Sequence, residues 1–142
     1  MITPAQHWLV FAILAQATLT FVLLFCLPIP RFSAARDKKV RLGEDGVPIF
    51  PKRTQQLGAA VNNLFQTPML FFVIALLAMQ LGDVTLPFAI LAWVFVAFRV
   101  LHAAVYVISN FIPLRFSLFV VSAAALLAMW VMVAMNVLSN TA

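Results

Sequence analysis

Polar residues divide the chain into four apolar stretches, near residues 6–28, 56–81, 84–108 and 115–137, in which charge is absent or confined to Arg99 and Arg115. An apolar helix of about 20 residues spans a bilayer, so the pattern predicts four transmembrane helices. They are joined by one long connection, 29–55, and two short turns. These stretches use most of the chain, which leaves no room for a separate soluble domain. The expected fold class is all-α, a four-transmembrane-helix bundle formed by residues 1–142 as one integral membrane domain.

Within the spans the pattern is uneven. The first closes on "CLPIP", where two prolines are expected to stop the helix, and it carries Gln16, Thr18 and Thr20, read as structural bonds within the bundle. Glycines and prolines in "GEDGVPIFP" predict turns, with Ile49 and Phe50 folding back toward the bundle mouth. Thr54 is the expected cap of the second helix. Gly58, Ala59 and Ala60 permit close helix approach, and Pro68 should kink this helix by removing a backbone bond to residue 64. Only apolar residues follow Pro68 for the next eleven positions. Ser122 to Ala125 are small enough for close packing, and the short turn after the third helix makes it an antiparallel neighbour of the fourth.

Two polar stripes interrupt this apolar scheme. On the third helix Arg99, His102, Tyr106 and Asn110 fall at offsets that share one face of a 3.6-residue period. On the second, Gln56, Asn63 and Gln66, with Thr67 beside them, do the same. An arginine near the bilayer centre costs about 2.5–3.5 kcal/mol on insertion scales, so it turns to a bundle interior or wet cavity. Gln66 and Arg99 each stand about eleven residues from the same end of antiparallel helices, roughly 16 Å deep at about 1.5 Å per residue. The stripes are therefore expected to meet in one cleft, with Tyr106 nearer its mouth and Arg115 at its rim. Other readings remain for each residue. Asn62 or Asn63 can simply tie helix to helix, His102 can be a satisfied interhelical bond, Tyr106 an interfacial anchor, and Arg99 a structural charge.

Composition and charge narrow the class. The chain is 65% hydrophobic and 9% charged, against about 25% charged in ordinary soluble domains. Seven of the nine basic residues lie in the first connection (Arg31, Arg36, Lys38, Lys39, Arg41, Lys52 and Arg53). Basic loops stay on the cytoplasmic side, so this connection is expected there and both termini on the non-cytoplasmic side. The net charge of +5 is thus a topology signal first and a surface for anionic lipid second, and no nucleic-acid partner is expected. The amino terminus lacks the basic start of a removable signal peptide. The expected location is an integral membrane, the inner (plasma) membrane if the cell is bacterial. Cys26 has no second cysteine to pair with. His7 and His102 sit at opposite ends without carboxylates nearby, so no metal site is expected.

Two blocks carry a resemblance. "NNLFQTPMLFF" resembles an Asn-x-x-Glu block followed by proline, and "RVLHAAVYVISNFIPLRF" resembles an Arg-x-x-(aromatic or His)-x-x-x-Tyr block running to a further arginine. Both are similar to blocks of the MAPEG family, the membrane-associated proteins in eicosanoid and glutathione metabolism, which includes microsomal glutathione transferases and leukotriene C4 synthase. The resemblance covers most of the chain. It implies a homotrimer of four-helix subunits, with glutathione as co-substrate in an intersubunit cleft and a lipophilic small molecule arriving from the membrane lipid. Its binding residues carry over to Asn63, Gln66, Arg99, His102 and Tyr106, and its catalytic roles to Arg115, as thiolate stabiliser, and Tyr106. Three departures stand out: Gln66 replaces a glutamate, Ala59 replaces an arginine, and the Tyr106–Arg115 gap is longer than in leukotriene C4 synthase. The first removes an acceptor for an amino group and a counter-charge for Arg99. The second removes a carboxylate clamp.

The leading expectation is a membrane glutathione transferase-like protein conjugating glutathione to lipophilic electrophiles. Its rival is a non-catalytic protein of the same fold that binds a lipid or a membrane partner. A proton-coupled transporter needs an intramembrane acid, and all four acidic residues lie outside the spans.

Overall fold

The computed structural model describes residues 2–141 and contains six helices and one short hairpin among them. Helix α1 (Pro4–Cys26) is followed by α2 (Pro28–Arg36), strands β1 (Arg41–Leu42) and β2 (Pro48–Ile49), then α3 (Lys52–Leu64), α4 (Thr67–Gln80), α5 (Leu86–Ile108) and α6 (Ile112–Thr141). Four helical segments, Pro4–Arg36, Lys52–Gln80, Leu86–Ile108 and Ile112–Ser139, are long and apolar enough to cross a membrane. The expected four-helix membrane bundle is therefore present.

Local chemistry explains the element ends. Thr3 starts α1 through a reciprocal box, its Oγ1 accepting from the Gln6 backbone at 3.3 Å while Gln6 Oε1 accepts from the Thr3 backbone at 2.8 Å. This satisfies two donors that a helix start leaves open. Thr85 does half of the same for α5, accepting from the Phe88 backbone at 3.4 Å. Gly82, at φ +70, makes the turn between α4 and α5 in a left-handed conformation that costs glycine little.

Two expectations need correction and one needs extending. Helix α1 ends at Cys26, before the prolines, but a second helix starts at once. Pro28 falls in the first turn of α2, where its missing N–H needs no acceptor, and the chain stays helical with only a break at Leu27, which keeps helical angles. Thr54 is not a cap. Helix α3 begins at Lys52 after Pro51, without a side-chain cap, and Thr54 is buried in its first turn. The second span is two helices and not one kinked one, since α3 ends at Leu64 and α4 starts at Thr67. The connection otherwise behaves as read, with β1 and β2 pairing antiparallel around the glycine turn and Phe50 returning to lie under the Arg31 guanidinium at 5.4 Å. A Cβ on Gly58 would stand 3.5 Å from Arg31 Nη2 and 3.9 Å from Leu27 Cδ1, so α3 does approach the α1–α2 junction closely.

The bundle has a dry half and a polar half. Leu9 and Ala12 of α1, Phe71, Ile74 and Ala78 of α4, Phe88, Ala92 and Phe95 of α5, and Met129 and Val133 of α6 form the apolar core. Phe71 and Phe95 stack in it with centroids 4.7 Å apart. Helices α5 and α6 share the largest interface, aided by buried Ser122 and Ala125. Many large apolar side chains on the outer faces stay exposed, among them Phe11, Leu76, Ile90 and Leu127. On a soluble monomer such a surface is a liability, and against lipid it carries no penalty. The buried polar residues Gln16, Thr54, Arg99 and His102 belong to the other half, nearer the basic connection.

Candidate functional site

The break between α3 and α4 generates the site's first contact. Pro68 has no N–H to offer, and the backbone around Phe65 tightens, with Phe65 N–H donating to Asn62 O at 3.1 Å and Gln66 N–H to Asn63 O at 3.4 Å. The carbonyl of Asn63, at the end of α3, is also within reach of α5. Arg99 takes it. Its Nη2 donates to Asn63 O at 2.9 Å and to Asn63 Oδ1 at 2.6 Å, so one guanidinium arm is held by backbone and side chain of one residue.

Arg99 has no exposed surface, and its Nε and Nη1 find no hydrogen-bond partner. Among the described residues the ion pairs are Arg36–Asp37 and Lys39–Asp37, both in the connection. A guanidinium buried without a carboxylate is costly, because desolvation of an ion takes several kcal/mol that only good partners offset. Two donor atoms of this buried cation, Nε and Nη1, are left without a partner.

A second cluster stands one to two turns further along α5. The Arg115 guanidinium lies over the Tyr106 ring at 4.0 Å, a cation–π geometry that fixes the charge against the aromatic face. Its Nη1 donates to Asn110 Oδ1 at 2.7 Å. Asn110 can reach back because it leaves the helix at φ +50, a left-handed conformation that asparagine tolerates better than most residues. His102 Nδ1 bonds the Arg115 carbonyl at 2.9 Å, and its ring meets Tyr106 edge-on at 6.0 Å. Arg115 is thus held by α5 through its guanidinium and its backbone.

Asn63, His102, Tyr106 and Arg115 line one cavity of about 290 Å³ together with Ala59 and Phe119. Arg99 forms its deep neighbour through Asn63. Of the six residues expected at the site, five are brought together: Asn63, Arg99, His102, Tyr106 and Arg115. Gln66 is not. It is exposed and stands at the helix break with φ −88 and ψ −84, so the chain turns there and its side chain leaves the stripe that spacing assigned it. Gln56 is half-buried and does not line the cavity. Asn110 shares no helical face with Tyr106, as α5 has ended, yet it reaches the cluster as the partner of Arg115.

Gln16 is the residue that sequence reading undervalued. It is fully buried, and neither atom of its amide has a partner. Its signal was its position, since Leu9, Ala12 and Gln16 form the one buried stripe of α1. A larger hollow of about 590 Å³ lies between α1 and α5 among Trp8, Ile90, Trp93 and Phe98. It holds no ionisable side chain, and the Trp93 indole is already committed to the Trp8 carbonyl at 3.1 Å, so its lining suits a lipid chain. No cluster of metal ligands occurs among the described residues, and Cys26 is exposed and free.

Comparison with known families settles the relationship. The MAPEG family model matches residues 9–135, nearly the whole chain and all four spans. The chain belongs to the MAPEG family. No curated protein and no solved structure matches it. This MAPEG protein is an integral membrane protein with the expected four-helix bundle, and Asn63, His102, Tyr106 and Arg115 from the two blocks named above line its cavity.

Proposed function

We propose that this MAPEG protein is a membrane glutathione transferase-like enzyme, which conjugates glutathione to lipophilic electrophiles in a cleft facing the cytoplasm. The observation that carries the reading is buried Arg99, anchored by Asn63 with two guanidinium donors open, beside a cavity that also holds Arg115 and Tyr106. Glutathione is an anionic tripeptide, and its carboxylates are the partners such donors lack. Arg115, fixed over Tyr106, supports a thiolate, the nucleophilic form of a thiol. The cavity of about 290 Å³ lies at the low end of ligand sites, which run from about 300 Å³ upward. A second copy of the chain would supply the missing wall, in keeping with a homotrimer whose clefts lie between subunits. Lipophilic electrophile would enter from the bilayer.

A second reading has its own observation. No carboxylate accompanies Arg99, and Gln66 stands exposed where relatives in the family carry a glutamate, which favours a non-catalytic protein whose Arg99 holds an anionic lipid head group. The detergent-solubilised protein separates the two. The enzyme reading expects thermal stabilisation by glutathione and turnover with 1-chloro-2,4-dinitrobenzene; the binding reading expects stabilisation by anionic phospholipid with no response to glutathione. Protein that neither binds glutathione nor conjugates it with any of several electrophiles would remove the transferase reading.

A further inference from the structure

We infer that His102 is the general base of the reaction, taking the thiol proton of glutathione on Nε2; the inference rests on the glutathione reading above. His102 Nδ1 lies 2.9 Å from the Arg115 carbonyl oxygen. A carbonyl only accepts, so Nδ1 carries the hydrogen and donates it. In a neutral imidazole the other nitrogen, Nε2, is then the acceptor. Nε2 is buried and has no hydrogen-bond partner, while the residue itself lines the cavity shared by Asn63, Tyr106 and Arg115.

A buried acceptor without a donor is costly to leave unpaired, and a donor arriving with the ligand would satisfy it. The ring is held in place for that encounter, with Tyr106 edge-on at 6.0 Å and Phe119 at 6.1 Å. The charged and titratable groups around it are Arg99 and Tyr106 on α5 and Arg115 on α6. Helix α3 contributes only the amide of Asn63, and no acid occurs in any of the four spans. The surroundings therefore offer His102 no carboxylate to hold it as a permanent cation. A neutral ring between two arginines is a base that waits for an acid, and the thiol is the acidic hydrogen that glutathione brings.

The S–H bond breaks, its proton forms a bond to Nε2, and the electron pair stays on sulfur beside Arg115. The thiolate attacks the electrophilic carbon and a C–S bond forms. With an aryl chloride the C–Cl bond then breaks and chloride leaves with its electron pair. The proton on Nε2 passes to solvent and restores the neutral ring.

The test uses the full-length protein in detergent, with glutathione and 1-chloro-2,4-dinitrobenzene, and two variants. His102→Asn keeps an N–H donor near the Arg115 carbonyl and removes Nε2; His102→Gln extends an amide toward the Nε2 position and offers no base. Three quantities are read: thermal stabilisation by glutathione, the ultraviolet thiolate band on adding glutathione, and turnover against pH. The expected result is that both variants still bind glutathione but lose the thiolate band near neutral pH. Their turnover should fall by about 10²-fold or more, within the usual range for general base catalysis. The deficit should shrink as pH rises toward the unaided ionisation of a thiol, near about 8.5, because hydroxide then does the work of Nε2. A loss that is equal at every pH, or a thiolate band of wild-type size in His102→Asn, would overturn the base role while leaving glutathione binding intact. Absence of glutathione binding in the wild-type protein would overturn the transferase reading itself, and this inference with it.

Discussion

Arg99 is the residue on which the site turns, and its partners make its role separable from stability. Arg99→Met replaces a buried cation lacking a carboxylate with an apolar chain of similar length. Such exchanges are often neutral or stabilising, although the Asn63 carbonyl and amide oxygen would each lose a donor at about 1–3 kcal/mol. The expected outcome is a thermal midpoint close to wild type without ligand and complete loss of the response to glutathione, checked by thermal unfolding with and without it. Asn63→Asp makes a converse prediction. Giving Arg99 the carboxylate it lacks should stabilise the free protein and weaken glutathione binding, because the new charge competes with the ligand for the guanidinium; titration calorimetry would show whether the affinity falls. The stripe Arg99, His102, Tyr106 was legible from spacing alone, since three residues at offsets of three and four stay on one face of any regular helix. What spacing could not show was that His102 bonds the Arg115 backbone, because that contact depends on where the turn at Asn110 sends the start of α6.

At the level of elements, the break between α3 and α4 decides which polar residue meets Arg99. Proline at the start of α4 was visible in the sequence as a disturbance. The sequence did not say that the helix ends at Leu64 and restarts at Thr67, and this rotation sends Gln66 outward and leaves Asn63 in place. The same limit explains α2. Prolines read as stops are compatible with the first turn of a new helix, and only the path of the chain shows which applies. Pro68→Ala restores an N–H that can reach the Leu64 carbonyl. Because Pro68 sits at a position of α4 where proline is tolerated, the stability change should stay within about 1 kcal/mol. Glutathione affinity should fall as the bond from Arg99 to the Asn63 carbonyl is strained. Unfolding and binding measured on the same sample would show whether the two effects part in this way.

For the whole molecule, the exposed apolar belt on four membrane-length helices fits a chain surrounded by lipid. The hydrophobic pattern was enough to predict the four-helix bundle, since spans of this length have few alternatives in lipid. In the proposed trimer the other wall of the cleft would come from a second copy, and a surface of that kind has no periodicity of its own to read. Gln66 tests that wall. Exposed in the single chain, it should tolerate Gln66→Glu with a change within about 0.5 kcal/mol, yet in a cleft between subunits the new carboxylate would meet the amino group of glutathione and tighten binding, which a titration can read directly.

Whether this MAPEG protein binds glutathione through Arg99, as proposed, is read from the thermal stability of the detergent-solubilised protein with and without glutathione. At a hundred times its dissociation constant a ligand adds about 2.7 kcal/mol. The expected result is a saturable rise in the unfolding midpoint for the wild type that is absent in Arg99→Met; an unchanged wild-type midpoint at saturating glutathione, or an equal rise in both proteins, would rule out binding through Arg99.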